Sequence, residues 1–239
     1  MALVNPASSS APEMDAFWLT LLALGTASLS LKIWAMRRRA KRAAYIRTYS
    51  FPPGLLDRFA AHYPQLNARE RHLVARALRQ FFIAYLNSGR QFVSMPSQAA
   101  DALWHEFILY TRHYQAFCRR AFGRFLHHTP AVVLSANRQN NAGLRRVWWQ
   151  CCRDEQLNPR RSERLPLLFA LDEKLGIANG FYYALDCAGL QANQGVNTYC
   201  VGDFASTDFD GSIEGLGDFF NGDGDGDGGD GCGGGCGGD

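Results

Sequence analysis

Hydrophobic positions along this chain fall into three regimes. In the first, Ala16 to Met36 reads AFWLTLLALGTASLSLKIWAM, apolar on every face, with Lys32 as its one charge. About 20 residues at a rise of about 1.5 Å cross the hydrocarbon core of a bilayer, so the run predicts a transmembrane helix. Lys32 lies near one end and can extend to the headgroups. Trp18 and Trp34 lie near the two ends, where interfacial aromatics gather. A cleaved signal peptide carries its charges before the apolar run, whereas here RRRAKR, Arg37 to Arg42, follows it.

In the second regime apolar residues recur at helical spacing. A short helix over 54–62 is bounded by Pro52-Pro53 and Pro64. Asn67-Ala68-Arg69-Glu70 has the form of a capping box. Leu73, Val74, Ala77, Leu78, Phe81, Phe82 and Tyr85 then mark an amphipathic helix that Gly89 stops. Ser97 opens a helix running to about Phe122, with Gly123 as its stop. Residues 141–156 place Leu144, Val147, Trp148 and Cys151 on one face, and Pro159 ends that helix. A last helix covers 165–175, closed by Gly176 or Asn179-Gly180. Only Gln91-Phe92-Val93 and Gly180 to Leu185 have extended character. The expected body is all-α, of about five helices.

The third regime starts near Ala188, and fifteen of the chain's 24 glycines lie in Val201–Asp239. Such a segment buries too little to offset its ordering entropy and is expected to be disordered. The expected organisation is an extracytoplasmic N-terminus over 1–15, a span over 16–36 and a basic juxtamembrane linker over 37–50. A cytoplasmic helical domain over 51–187 and a glycine-rich acidic tail over 188–239 complete it.

Charge sharpens this picture. The net charge of +3 combines a tail from Val201 onward that has ten acids and no Lys or Arg with residues 1–200, which hold 25 bases and 12 acids. The bases concentrate just after the apolar run, which puts the N-terminus outside and the body in the cytoplasm. Arg37, Arg38, Arg39, Lys41 and Arg42 are then contacts for anionic lipid headgroups. A nucleic-acid patch is the weaker explanation, and no sequence feature names a protein partner. Seven cysteines, an odd number with Cys151 and Cys152 adjacent, do not form a disulfide framework. In a reducing compartment they are expected to be free or metal-bound, with one of the adjacent pair in the core and the other at the surface.

Candidate chemistry concentrates in Asp101 to Pro130, DALWHEFILYTRHYQAFCRRAFGRFLHHTP, which holds four of the six histidines. Asp101 and His105, four apart, lie about 40° from each other on a helical wheel and can share one ion. His113 and Cys118 fall on other faces. His127 and His128 follow Gly123, so the chain can fold either one back. The candidate metal set is therefore Asp101, His105 and His127 or His128, fitted to a divalent transition metal such as zinc. The bland alternative is a core helix with hydrogen-bonded polar residues, since Trp104, Phe107, Ile108, Tyr114, Phe117 and Phe122 all share it. No HExxH, P-loop or GxSxG motif is present, so no substrate or reaction class follows.

The stretch Asp101-Ala-Leu-Trp104-His105, with Tyr114, Phe117-Cys118, Gly123 and His127-His128-Thr129-Pro130, resembles the core of the glycine-rich-domain-containing family. These are plant-type proteins defined by a domain of unknown function, with bacterial membrane-anchored relatives. Leu165 to Asp172 and Asn179-Gly180-Phe181 are similar to the bacterial relatives. The resemblance brings no established activity. It implies that Trp104-His105, Cys118 and His128-Thr129-Pro130 act as one unit.

In the tail, Asp223, Asp225, Asp227 and Gly228 imitate the start of a calcium loop, but Gly234 stands where the bidentate Glu belongs. Cys232 and Cys236 offer two soft ligands, too few for a tight site. The first functional expectation is a membrane-tethered helical interaction or scaffold protein. The alternative is a metal-binding or metal-dependent protein centred on Asp101, His105 and His127 or His128.

Overall fold

The computed structural model describes residues 11–128, 138–185 and 198–202. Among them are seven helices and two short strands. α1, Ala11–Thr48, contains no proline after Pro12 and runs unbroken for 38 residues. No residue from Phe17 to Met36 is buried, and the helix over Phe17–Thr48 is long and apolar enough to cross a membrane. The basic juxtamembrane segment continues the same helix as far as Thr48. Its last turns dock on the body through Ala43 and Ile46, both buried. Tyr49, just past the helix, stacks on Phe117 with ring centroids 4.6 Å apart.

α2, Leu55–His62, starts after Gly54, whose φ of 79° suits a residue without Cβ. α3, Ala68–Asn87, opens with the capping box foreseen. Asn67 Oδ1 accepts from the Glu70 amide at 3.0 Å, and Glu70 Oε2 accepts from the Asn67 amide at 2.8 Å. α3 is the central strut of the body, touching α1, α4, α6 and α7. That is why even Gln80 on it is buried. Its amide donates to Glu155 at 2.9 Å and accepts from the Leu168 amide at 3.0 Å, so neither end is left unpaired.

The single helix expected over 97–122 is two: α4, Gln98–Leu109, and α5, Thr111–Ala121. Tyr110, at φ −81° and ψ 58°, breaks the ladder without glycine or proline. The gain is aromatic packing. A straight helix sets residues seven apart about 10 Å apart along its axis. Here Phe107 and Tyr114 approach to 5.2 Å between ring centroids, and Phe107 and Phe117 to 5.5 Å.

α6, Arg138–Asp154, and α7, Leu167–Lys174, complete the helices. Cys151 and Cys152 are both fully buried, which corrects the expected split between core and surface. α6 packs on α3 and on α7, so two faces of it are covered. β1, Tyr182–Ala184, falls in the extended stretch foreseen and pairs in parallel with β2, Thr198–Cys200. β2 lies inside the segment expected to be disordered, so the body extends beyond Ala188. Cys200 is disulfide-bonded, with its partner outside the described residues, which corrects the expectation of free thiols at that position. Cys118, Cys151 and Cys152 are free.

Candidate metal centre

The site is built on the first turns of α4. Ser97 caps that helix, its hydroxyl oxygen accepting from the Ala100 amide at 3.1 Å. Ser97 is itself held by Asp172 of α7, to which its hydroxyl donates at 2.6 Å. The same carboxylate accepts from the amides of Gln98 at 2.7 Å, Ala99 at 3.2 Å and Phe181 at 3.0 Å. Burial pushes the Asp172 carboxyl above its ordinary range, and these four hydrogen bonds restrain that rise. α4 thus starts from a fixed point, and Asp101 and His105 project one turn apart from it.

Asp101 is buried, and each of its carboxylate oxygens faces an imidazole. Oδ2 lies 3.5 Å from His105 Nδ1. Oδ1 lies 2.8 Å from His128 Nε2. The two imidazole rings lie with centroids 3.9 Å apart. One oxygen and two nitrogens therefore sit within 4.8 Å of one another. A tetrahedral metal with bonds of about 2.0–2.1 Å holds its ligand atoms roughly 3.3 Å apart. Closing the remaining gap takes a side-chain adjustment, and His105, whose side chain is 55% exposed, has room for it. His128 and Asp101 are enclosed, at 11% and 9%. Any ion held here would meet solvent on the His105 side.

What aims His128 is a hydrogen-bonded strut beneath the site. Trp104 Nε1 donates to the Tyr114 hydroxyl at 3.1 Å, and that hydroxyl donates to the Leu126 carbonyl at 2.5 Å. Leu126 is two residues before His128, so the strut fixes where the returning chain passes over α4. The Trp104 ring also meets the His128 imidazole edge-on, 4.6 Å between centroids. Burial raises the Tyr114 phenol far above its ordinary range, which keeps it a neutral donor. Burial likewise pushes the Cys118 thiol up, opposed by hydrogen bonds to Leu126 and Tyr114. Cys118 belongs to this strut and not to the ligand group.

Of the two histidines left open by the sequence, His128 is brought in. His127 turns away, its ring against Phe125 at 4.9 Å. His113 lies beside Tyr110 and takes no part. Thr129, Pro130, Cys232, Cys236 and the Asp223–Gly228 stretch lie outside the described residues. Trp104, Tyr114, Cys118 and Asp172 stand among the residues of the resemblance, but the hydrogen bonds of the Tyr114 hydroxyl and the anchoring of α4 by Asp172 have no signal in the sequence. The partners of Asp172 at the start of α4 stand 73 to 75 residues away, beyond the reach of any local pattern.

A family model described as UCP032817-like, for an uncharacterized family, matches residues 41–204. The match covers α2 to β2 and the end of α1, and so takes in the whole candidate site. It is not a match to a glycine-rich-domain family. No curated protein and no solved structure matches the chain. With more than two thirds of its length under the one family model, this chain belongs to the UCP032817-like family.

Proposed function

We propose that this chain is a single-span membrane protein whose helical body holds a divalent transition metal, zinc by the chemistry of the ligands, between Asp101, His105 and His128. The observation that carries the reading is the convergence of three potential ligand atoms from α4 and the segment after α5. Two imidazoles and one carboxylate suit a borderline cation. Three protein ligands with a solvent-facing position left open is the form of a reactive zinc site, not of a closed structural one. The Trp104 ring, held through the Tyr114 hydroxyl, packs against the His128 imidazole and limits its orientation.

The span supplies the tether. In this reading α1 crosses the bilayer with its N-terminus outside, and the body is cytoplasmic. Arg37, Arg38, Arg39, Lys41 and Arg42 meet anionic headgroups. A purely structural interaction protein would instead use Asp101 and His128 as a buried ion pair and carry no metal.

Elemental analysis of the full chain decides between these readings. The protein is purified in detergent without a metal-affinity tag from metal-replete cells. About one equivalent of transition metal per chain is expected, with most of it lost in His105→Ala. That variant alters an exposed side chain and leaves the fold in place. A folded, metal-free wild-type protein that takes up no added zinc would overturn the metal reading.

A further inference from the structure

Beside the apolar stretch of α1, that helix and the C-terminal ends of α3 and α5 with the residues just after them line an open cavity of about 350 Å³. Its walls include Arg38, Arg39, Arg42 and Arg90 together with Trp34, and among the described residues no Asp or Glu lines it. Trp34, Arg38 and Arg42 are spaced by four and form one stripe of α1. Arg37 and Lys41, equally basic, are not part of the wall.

Four guanidiniums share this space without a carboxylate. Two of them converge on a single acceptor: the Phe122 carbonyl takes a hydrogen bond from Arg42 Nη1 at 3.0 Å and from Arg90 Nη1 at 3.1 Å. Arg39 is held by Asn87, its Nε donating to Oδ1 at 3.0 Å. Arg38 lies over the Trp34 ring, 5.1 Å from its centroid. These contacts occupy few of the five N–H donors each guanidinium carries. Arg90 also holds a left-handed backbone, φ 66°, directly after Gly89 at 70°.

The depth of the cavity points to its occupant. Arg38 and Arg42 follow the end of the apolar run by about 3 and 9 Å along the helix axis. The headgroup layer is about 5–7 Å thick beyond the hydrocarbon edge. The cavity therefore opens at the level of lipid phosphates.

We infer that this cavity is a site for the phosphate-monoester headgroup of an anionic lipid, gripped by Arg38, Arg42 and Arg90 against Trp34. A monoester offers up to two charges and three acceptor oxygens, which suits converging guanidinium forks better than a diester's single charge. The inference rests on the proposed span, and it goes further by making one lipid class the ligand of a built site rather than of a diffuse basic run.

The test uses the full chain in neutral detergent, titrated with phosphatidic acid, phosphatidylserine and soluble glycerol 3-phosphate, with bound ligand counted by native mass spectrometry. One phosphatidic acid per chain is expected, at least tenfold tighter than phosphatidylserine. Arg38→Gln and Arg90→Gln should each remove that preference. Arg38 touches only Trp34 among the described contacts, so its variant cannot act by unfolding the body. Arg37→Gln and Lys41→Gln should weaken both lipids alike and leave their ratio unchanged. Equal binding of the two lipids, or equal effects of Arg37→Gln and Arg38→Gln on their ratio, would reduce the site to surface charge and overturn the inference. Glycerol 3-phosphate binding as tightly as the lipid would overturn the lipid assignment. Flotation on neutral phosphatidylcholine vesicles reports the span separately. A chain that floats but shows no phosphatidic acid preference loses the pocket alone, while a chain that fails to float loses the span and the pocket together.

Discussion

A carboxylate as enclosed as Asp101 needs partners, because an unpaired charge away from water is strongly unfavourable. Its two oxygens find two imidazoles, and whether a proton or a metal ion lies between them is a matter of occupancy. Glu155 shows how the same chemistry resolves where only protein groups are present. Burial pushes its carboxyl up, but hydrogen bonds from the Leu167 amide and from Gln80 and Arg164, with the charge of Arg164, outweigh burial and set it below its ordinary value. The Leu167 contact is 2.6 Å and the Gln80 contact 2.9 Å. A lowered carboxyl binds fewer protons folded than unfolded. Its stabilisation is therefore complete above the ordinary value of 4.5 and fades as pH falls through the folded one. Glu155→Gln should lower stability at neutral pH, and its deficit should shrink as pH drops below about 4.5. Urea unfolding of both proteins in detergent from pH 7 to 3 checks this. A deficit that stays constant across that range would show that Glu155 contributes no charge-dependent stability.

Elements with local signals were legible in the chain, and those set by distant packing were not. Asn67 and Glu70 announce the start of α3 because a capping box is closed within four residues. The break at Tyr110 has no such signal. It arises because Phe107, Tyr114 and Phe117 gain more by meeting around one core than α4 and α5 gain by remaining one helix. A helical wheel drawn through that break put Cys118 on a far face, yet its thiol interacts with Tyr114 beneath the site. Gly143 on α6 is another position set by packing. A Cβ added there would stand 2.5 Å from Ser94 Oγ, 2.8 Å from a Phe92 ring carbon and 2.9 Å from the Ser94 amide nitrogen. Alanine is the better helix former, so propensity alone favours Gly143→Ala. The contact with backbone decides the opposite, and a loss of about 1–3 kcal/mol is expected. Thermal unfolding measures it. An unchanged or raised midpoint would mean that the 92–94 segment yields freely.

For the whole molecule, α1 carries the apolar stretch and the end that docks on the body in one continuous helix. In the proposed reading, the unbroken helix from Arg37 to Thr48 makes the body's orientation to the membrane follow the helix axis. Two features bear on the side it occupies. The basic run after the span favours the cytoplasm. The Cys200 disulfide is of a kind that persists in oxidising compartments. If the proposed orientation holds, that bond is open in the cell and closes only after isolation. Alkylation of intact cells with a permeant maleimide, quenched before lysis, should then label Cys200. A Cys200 that resists the trap until a reductant is added would place the body on the opposite side.

The amino-acid sequence by itself determined the apolar span, the helical character of the body, the capping box of α3 and the candidacy of Asp101 with His105. Each of these rests on residues within a few turns of one another, where periodicity and capping act directly. Tertiary structure alone decided that His128 rather than His127 returns to Asp101, that Asp172 anchors α4, that α4 and α5 part at Tyr110, and that Arg90 joins Arg38 and Arg42. The physical reason is common to all four. These choices depend on which side chains meet once the helices pack, and a contact made only on packing leaves no period in the chain.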